Sequence, residues 1–397
     1  MLQTSELLNR LSESATIKMA QLSRELAAKG VKVISLSLGE PDFRAPQLVK
    51  DAAKVALDAG YDSYSPVAGF ADLREAVCIK LKRDNHLDYK PENIIISTGA
   101  KQSLANIFMS YLNPGDEVII PAPFWVSYPE QVKLCDAKPI YIYTDVESNF
   151  KITPQQLEAA ITDKTKFLVY SSPCNPTGSV YNKEELQALA EVLKKYPHVY
   201  VISDEIYEHI NYVGEHVSMA HIDFMKDRTI IVNGQAKGYA MPGWRIGYIA
   251  ATSDIAKACD KLQGQITSGT NTIAQKATVA ALTGDQSSTA TMREAFRKRR
   301  DLVLAILATI PGVKCNIPDG AFYVFPDVSA YFGKSYNGEI MKDADDLCLY
   351  LLHVGHVAAV AGSGFGADKC IRFSYAASED TLKEAFLRVK EALAKLS

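Results

Sequence analysis

No stretch of the 397 residues is long and apolar enough to span a bilayer. The first ten residues lack the continuous apolar core of a signal peptide, and Glu6 and Glu13 argue against an organelle transit peptide. Charge of neither sign dominates. A net charge of −3 and a pI of about 6.2 leave no electrostatic case for nucleic acid or an anionic membrane as partner. The one basic run, at 297–300, is followed by Asp301 and a helical apolar pattern, and reads as a solvated helix face. None of the seven cysteines (78, 135, 174, 259, 315, 348 and 370) forms a Cys-x-x-Cys pair, and their number is odd. That argues against a disulfide framework or a zinc ribbon and fits a reducing cytoplasm. Cys174 reads as a packing residue. The histidines show no metal-ligand spacing: His353 and His356 share a face of one expected helix without a third ligand, so no metal is expected. Repeats, low-complexity tracts and Pro/Gly-rich linkers are also missing.

What is present is ordinary for a folded globular chain, with 47% hydrophobic and 22% charged residues. The length favours two domains. Short apolar runs at 93–97, 117–121, 138–143, 167–171, 199–203, 229–232 and 246–250 read as strands, and 69–86, 101–112, 123–135, 183–195 and 271–283 as helices. This alternation predicts an α/β domain whose mostly parallel seven-stranded sheet is flanked by helices, because the strands are apolar throughout. After it come a long helix near 288–309, a strand at 320–325, a helix at 343–354, strands at 357–360 and 370–374, and a helix at 378–395. This order predicts a smaller α+β domain, joined by a strand at 33–38. The expected division is 1–47 with 286–397 as the small domain and its N-terminal arm, and 48–285 as the large one. Leucines 7, 8 and 11 give the arm an amphipathic face for a partner subunit.

The chemistry gathers around Lys237, which small residues flank and which Arg245 follows behind Gly243 and Trp244. Asp204 closes the strand at 199–203, with Tyr207 three residues on. Asn175 opens Asn-Pro-Thr-Gly after the strand at 167–171, and Arg372 stands in a short aromatic strand. An amine for an aldehyde, an acid for a pyridine nitrogen, donors for a phenolic oxygen and cations for phosphate and carboxylate are what a pyridoxal phosphate site needs. Lys237 is the candidate for the Schiff base, and its freed amine for moving a proton between the substrate's Cα and C4'. Asp204 would keep the ring nitrogen protonated; as an isolated residue it also suits a helix N-cap. Tyr207 and Asn175 would donate to the phenolic oxygen, and a cis Asn175–Pro176 bond would aim the Asn side chain. Gly99, Ala100 and Lys101 lead from strand to helix, where free amides bind anions, and Arg245 would add charge for the phosphate. Trp125 would stack on the pyridine ring. Arg372 would clamp the substrate's α-carboxylate, with the Gly39 backbone facing it.

These residues resemble the class I pyridoxal-phosphate aminotransferases of fold type I, in the bacterial aspartate aminotransferase branch. The resemblance runs from about residue 14 to the last helix. It rests on Gly-Glu-Pro-Asp-Phe at 39–43, Tyr-x-Pro-x-x-Gly at 64–69, Trp-Val-Ser-Tyr-Pro at 125–129, Asn-Pro-Thr-Gly at 175–178, Asp-Glu-Ile-Tyr-Glu-His at 204–209 and Gly-Trp-Arg-Ile-Gly-Tyr at 243–248. It implies a homodimer with shared active sites, Tyr64 reaching the phosphate of the partner subunit. It also implies contact between Lys101 and the distal carboxylate of a dicarboxylic substrate. One departure stands out: Ala236 replaces the serine that many members carry before the lysine. The expected reaction moves the amino group of L-aspartate to 2-oxoglutarate, giving oxaloacetate and L-glutamate. Alternatives are an aromatic, prephenate or alanine aminotransferase, a β-lyase acting on cysteine conjugates, or a non-catalytic regulator on the same fold.

Overall fold

The seven apolar runs pair into one sheet. Its spatial order is Ile94–Ser97, Gly247–Ala250, Thr229–Gly234, Tyr200–Asp204, Thr165–Ser171, Glu117–Ala122 and Lys138–Tyr143. The computed structural model that shows this describes residues 2–13 and 15–397. Ser14, where the resemblance begins, and Met1 of the arm lie outside the described residues. Every neighbouring pair is parallel except those of Gly247–Ala250, which runs antiparallel to both its neighbours. Four of the seven strands are buried at every position, Thr165–Ser171 at all but Lys166 and Tyr200–Asp204 at all but its first; only the edge strand Lys138–Tyr143 is largely open. Helices cover both faces, so uniform apolarity rather than alternation is what the sheet requires. Full burial of each such Ile or Val contributes about 1.5–3 kcal/mol.

Local signals set the helix starts. Lys183–Lys194 opens on a capping box, in which Asn182 Oδ1 accepts from the Glu185 N–H and Glu185 Oε2 from the Asn182 N–H. The helix expected at 123–135 spans only Ser127–Leu134; the strand runs to Ala122, and a bend and a short irregular stretch lie between it and the helix. The strand expected at 320–325 pairs only over Tyr323–Val324, against Ile371–Ser374, and Ala321 has a positive φ of 58°. His356 falls outside the helix Ala344–His353, with a φ of 54°, so it shares no helix face with His353.

Ile34–Ser35 lies parallel to Val357–Ala358, which ties the N-terminal stretch to the C-terminal one. One apolar core joins Met19, Ile34 and Leu36 to Phe296, Tyr323, Leu351 and Phe386, and it also takes in Ile206 and Tyr207 from beside the sheet. We propose 1–47 with 286–397 as one unit and 48–285 as the other, with this core as their common seam. Among the described residues, no helix is long and apolar enough to cross a membrane.

Candidate active site

In an open α/β sheet the loops after the strands' carboxyl ends meet at one edge, where ligands bind. Ala122, Ser171, Asp204 and Gly234 end parallel strands there, and Trp125, Asn175, Tyr207 and Lys237 follow within four residues. Arg245 arrives by the opposite route. It precedes the antiparallel strand Gly247–Ala250, which therefore begins at the edge where its neighbours finish. The cavity at this edge measures about 560 Å³, and Lys237, Asp204, Tyr207, Asn175, Trp125 and Arg245 line it. Gly39, Ala100, Lys101, Ala236 and Arg372 complete its wall. Two further residues singled out from the sequence do not line it. A Cβ on Gly99 would collide with the Arg245 guanidinium, so that glycine makes room for the arginine. Tyr64 is 95% exposed at the surface.

The Lys237 ammonium donates to the Gly39 carbonyl. Burial pushes it down from 10.5 to about 8; the Arg372 and Arg245 charges add to the drop, and Glu40 and Asp204 oppose it. Roughly a tenth of the amine is thus neutral near pH 7, far more than for an exposed lysine, and the neutral form is the one a nucleophile or proton acceptor needs. Asp204 accepts from the Tyr128 hydroxyl at 2.6 Å and from the Ile206 N–H at 3.3 Å. Burial raises its carboxyl to about 6 against the pull of those two donors. A buried acid held by donors but paired with no cation matches a protonated ring nitrogen.

Arg372 is 2% exposed. It donates from Nη1 to Asn175 Oδ1 at 2.9 Å and from Nη2 to the Ser37 carbonyl at 2.6 Å, while Nε has no partner. Among the described residues no carboxylate faces this buried guanidinium; the rings of Tyr323 and Phe365 lie against it, their centroids 4.6 and 4.9 Å from its central carbon. An unneutralised buried cation with a spare donor fits an anionic ligand. Arg245 is held by the Pro242 carbonyl at 2.9 Å in a left-handed conformation, φ 56°. Beside it the helix Ala100–Tyr111 starts at Gly99 with no side-chain cap; the Gly99 amide donates to the Ser97 carbonyl and the Gln102 amide to the Gly99 carbonyl, which leaves the Ala100 and Lys101 amides for an anion. Lys101 Nζ sits 5.0 Å from the Trp125 ring centroid. Burial, and then the charge of Arg245, pushes the Lys101 ammonium down. The Asn175–Pro176 bond is cis.

Cys174 is withdrawn from the chemistry, since burial raises its thiol to about 11. Glu205, Glu208 and His216 offer ligand atoms within 4.8 Å of one another, a cluster the histidine spacing does not announce. The Lys80 ammonium pairs with Glu208 and already supplies the positive charge there. Tyr128 and Tyr323 also line the cavity. Tyr128 is visible in sequence only as part of the Trp125 motif, and Tyr323 only as one residue of an alternating run.

Four cations (Lys101, Lys237, Arg245 and Arg372) face a cavity opposed by Asp204 and Glu40 alone. The chain matches the model of the family described as aminotransferase class I and II over residues 31–389. A probable aspartate/prephenate aminotransferase of Rhizobium leguminosarum bv. phaseoli is 46% identical over 390 residues, 97% of each chain. An aspartate aminotransferase of Bacillus subtilis (strain 168) is 45% identical, with 98% of each chain covered. Among solved structures, an aspartate aminotransferase from Rhizobium meliloti superposes with a TM-score of 0.97 at 41% identity, covering 100% of both chains.

Proposed function

The chain belongs to the class I and II aminotransferases, which depend on pyridoxal phosphate, and from that premise we propose that it moves the amino group of L-aspartate to 2-oxoglutarate. The products are oxaloacetate and L-glutamate. The observation that carries this reading is the meeting, in one cavity, of a half-buried, partly neutral Lys237 amine and a buried Arg372 that faces no acid. When bound, pyridoxal phosphate supplies an aldehyde for amines and a ring that takes up the electron pair left on the substrate's α carbon. Lys237 would hold the aldehyde until the substrate's amine displaces it, and its freed Nζ would then take the proton from the substrate's Cα. Asp204 keeps the ring nitrogen protonated, and Asn175 and Tyr207 donate to the phenolic oxygen. Arg245 and the amides at Ala100 and Lys101 would take the phosphate, while Gly99, whose amide donates to the Ser97 carbonyl at 2.7 Å, leaves room for the arginine. Trp125 covers the ring, while Arg372 and the Gly39 backbone fix the α-carboxylate.

Lys101 at the cavity wall, beside Trp125, is placed to receive a distal carboxylate, which favours aspartate over monocarboxylic donors. The names of both relatives include aspartate, and the Rhizobium leguminosarum name adds prephenate, itself a dicarboxylate; prephenate as acceptor is therefore the second reading. Steady-state kinetics over a panel of donors and acceptors decides. Aspartate is expected to be the fastest donor, and negligible turnover of it beside rapid turnover of alanine or tyrosine would defeat the assignment. Release of pyruvate and ammonia from cysteine conjugates without amino transfer would favour a β-lyase.

The enzyme is further proposed to work as a homodimer in the cytoplasm, where its seven free cysteines stay reduced. A second cavity of about 830 Å³ shares Pro242, Gly243 and Arg245 with the first. In the proposed dimer, Tyr64 would reach the phosphate of the other subunit from this side.

A further inference from the structure

Tyr323 touches three of the residues assigned above. It is fully buried on Tyr323–Val324. Its hydroxyl lies 2.7 Å from that of Tyr207. Its ring lies against the Arg372 guanidinium, whose central carbon is 4.6 Å from the ring centroid. A Cβ built on Gly39 would fall 2.6 Å from the Tyr323 hydroxyl oxygen, so glycine there leaves the room this hydroxyl uses.

A tyrosine hydroxyl has one proton to give. If Tyr207 spends it on a ligand, its oxygen must accept from elsewhere, and Tyr323 is the hydroxyl within reach. A guanidinium over a phenol ring draws charge from it and strengthens its O–H as a donor. In a chain of hydrogen bonds, each strengthens the next. The other charged groups facing the pair are Asp204 and Lys237 at Tyr207, and Glu40 at Tyr323.

Resting on the aminotransferase reading, we propose that Tyr323 is a positioning residue shared by the two ends of the site: its ring seats Arg372 for the α-carboxylate, and its hydroxyl donates to Tyr207 so that the Tyr207 proton points at the cofactor's phenolic oxygen. The two roles sit on different atoms and separate by substitution.

The test uses the pyridoxal-phosphate-loaded enzyme and two readouts. One is the pH midpoint of its visible absorption band. The other is the dissociation constant of succinate, a dicarboxylate without an amino group, read from its effect on that band. A donor to the phenolic oxygen favours the deprotonated form of the chromophore, so weakening it raises the midpoint. Tyr323→Phe keeps the ring. It is expected to raise the midpoint by about half to one pH unit while succinate binds within about two-fold of wild type. In a Tyr207→Phe background the same change is expected to add nothing. Tyr323→Leu removes the ring and is expected to weaken succinate about three- to ten-fold; should it fail to fold, the nearly isosteric Phe variant still decides. A Tyr323→Phe midpoint equal to wild type, or one that moves equally with and without the Tyr207 hydroxyl, overturns the proposal. A wild type with no visible band overturns the assignment of Lys237 and the proposal with it, whereas a normal wild-type band with an unmoved variant overturns the Tyr323 role alone.

Discussion

At Lys237, burial opposes charge. The ammonium's folded value lies near 8, below the 10.5 of an exposed lysine, so between those values the unfolded chain binds more protons than the folded one. Stability therefore rises with pH across that window, and the penalty is fully present below about 8. Lys237→Met removes it. In the cofactor-free protein this variant is expected to melt higher at about pH 7, by a free energy on the order of 2–3 kcal/mol. The gain should fade by about pH 10.5, where the amine is neutral in both states. Equal melting of both proteins at neutral pH would show that the amine is better solvated than its burial implies. Arg372 makes a different prediction, because its planar fork matches a carboxylate in a way a point charge does not. Arg372→Lys is expected to raise KM for the amino donor about ten- to a hundred-fold with a smaller fall in kcat, measured at steady state. An unchanged KM would remove Arg372 from the clamp.

Element by element, the sheet was the most legible part of the chain. Its runs are largely apolar because both faces are covered, and two of them end in Asp204 and Gly234, residue types that a strand interior avoids. The loops after those strands carry the site, so Asn175, Tyr207 and Lys237 could be named from position and chemistry together. Tyr323 could not. Its value depends on which turn and which arginine pack against it, and a two-residue pairing such as Tyr323–Val324 leaves little pattern. The contact between Ala71–Asn85 and the segment after Tyr200–Asp204 was equally hidden. There Lys80, 1% exposed, pairs with Glu208, which also accepts from Asn85 at 2.7 Å and Asn233 at 2.8 Å. Burial alone would raise the Glu208 carboxyl, yet the charges of Lys80, His209 and His216 hold it well below its usual 4.5. Its contribution is therefore present above that value and is lost as pH falls below it. Lys80→Met leaves the acid unpaired and is expected to destabilise the fold by about 3–5 kcal/mol in urea unfolding at neutral pH. Replacing Lys80 and Glu208 together by apolar residues should recover part of that loss. A Lys80→Met protein as stable as wild type would mean that the pair is not a buried ion pair in solution.

For the whole molecule, the proposed dimer has about 87 kDa, twice the 43.5 kDa chain, and sedimentation should find that mass. Co-expressing a Tyr64→Ala chain with a Lys237→Ala chain tests the sharing of sites. Each mixed dimer rebuilds one intact site, so activity of about a quarter of wild type is expected from parents that are each nearly inactive. Activity no higher than the parents' average would place Tyr64 outside the partner's site. The most direct measurement concerns the bond between protein and cofactor: borohydride reduction of the loaded enzyme, followed by peptide mapping. A pyridoxyl label on the peptide containing Lys237 and on no other is the expected result. A label on Lys101 or another lysine, or none at all, would contradict the assignment on which the site rests.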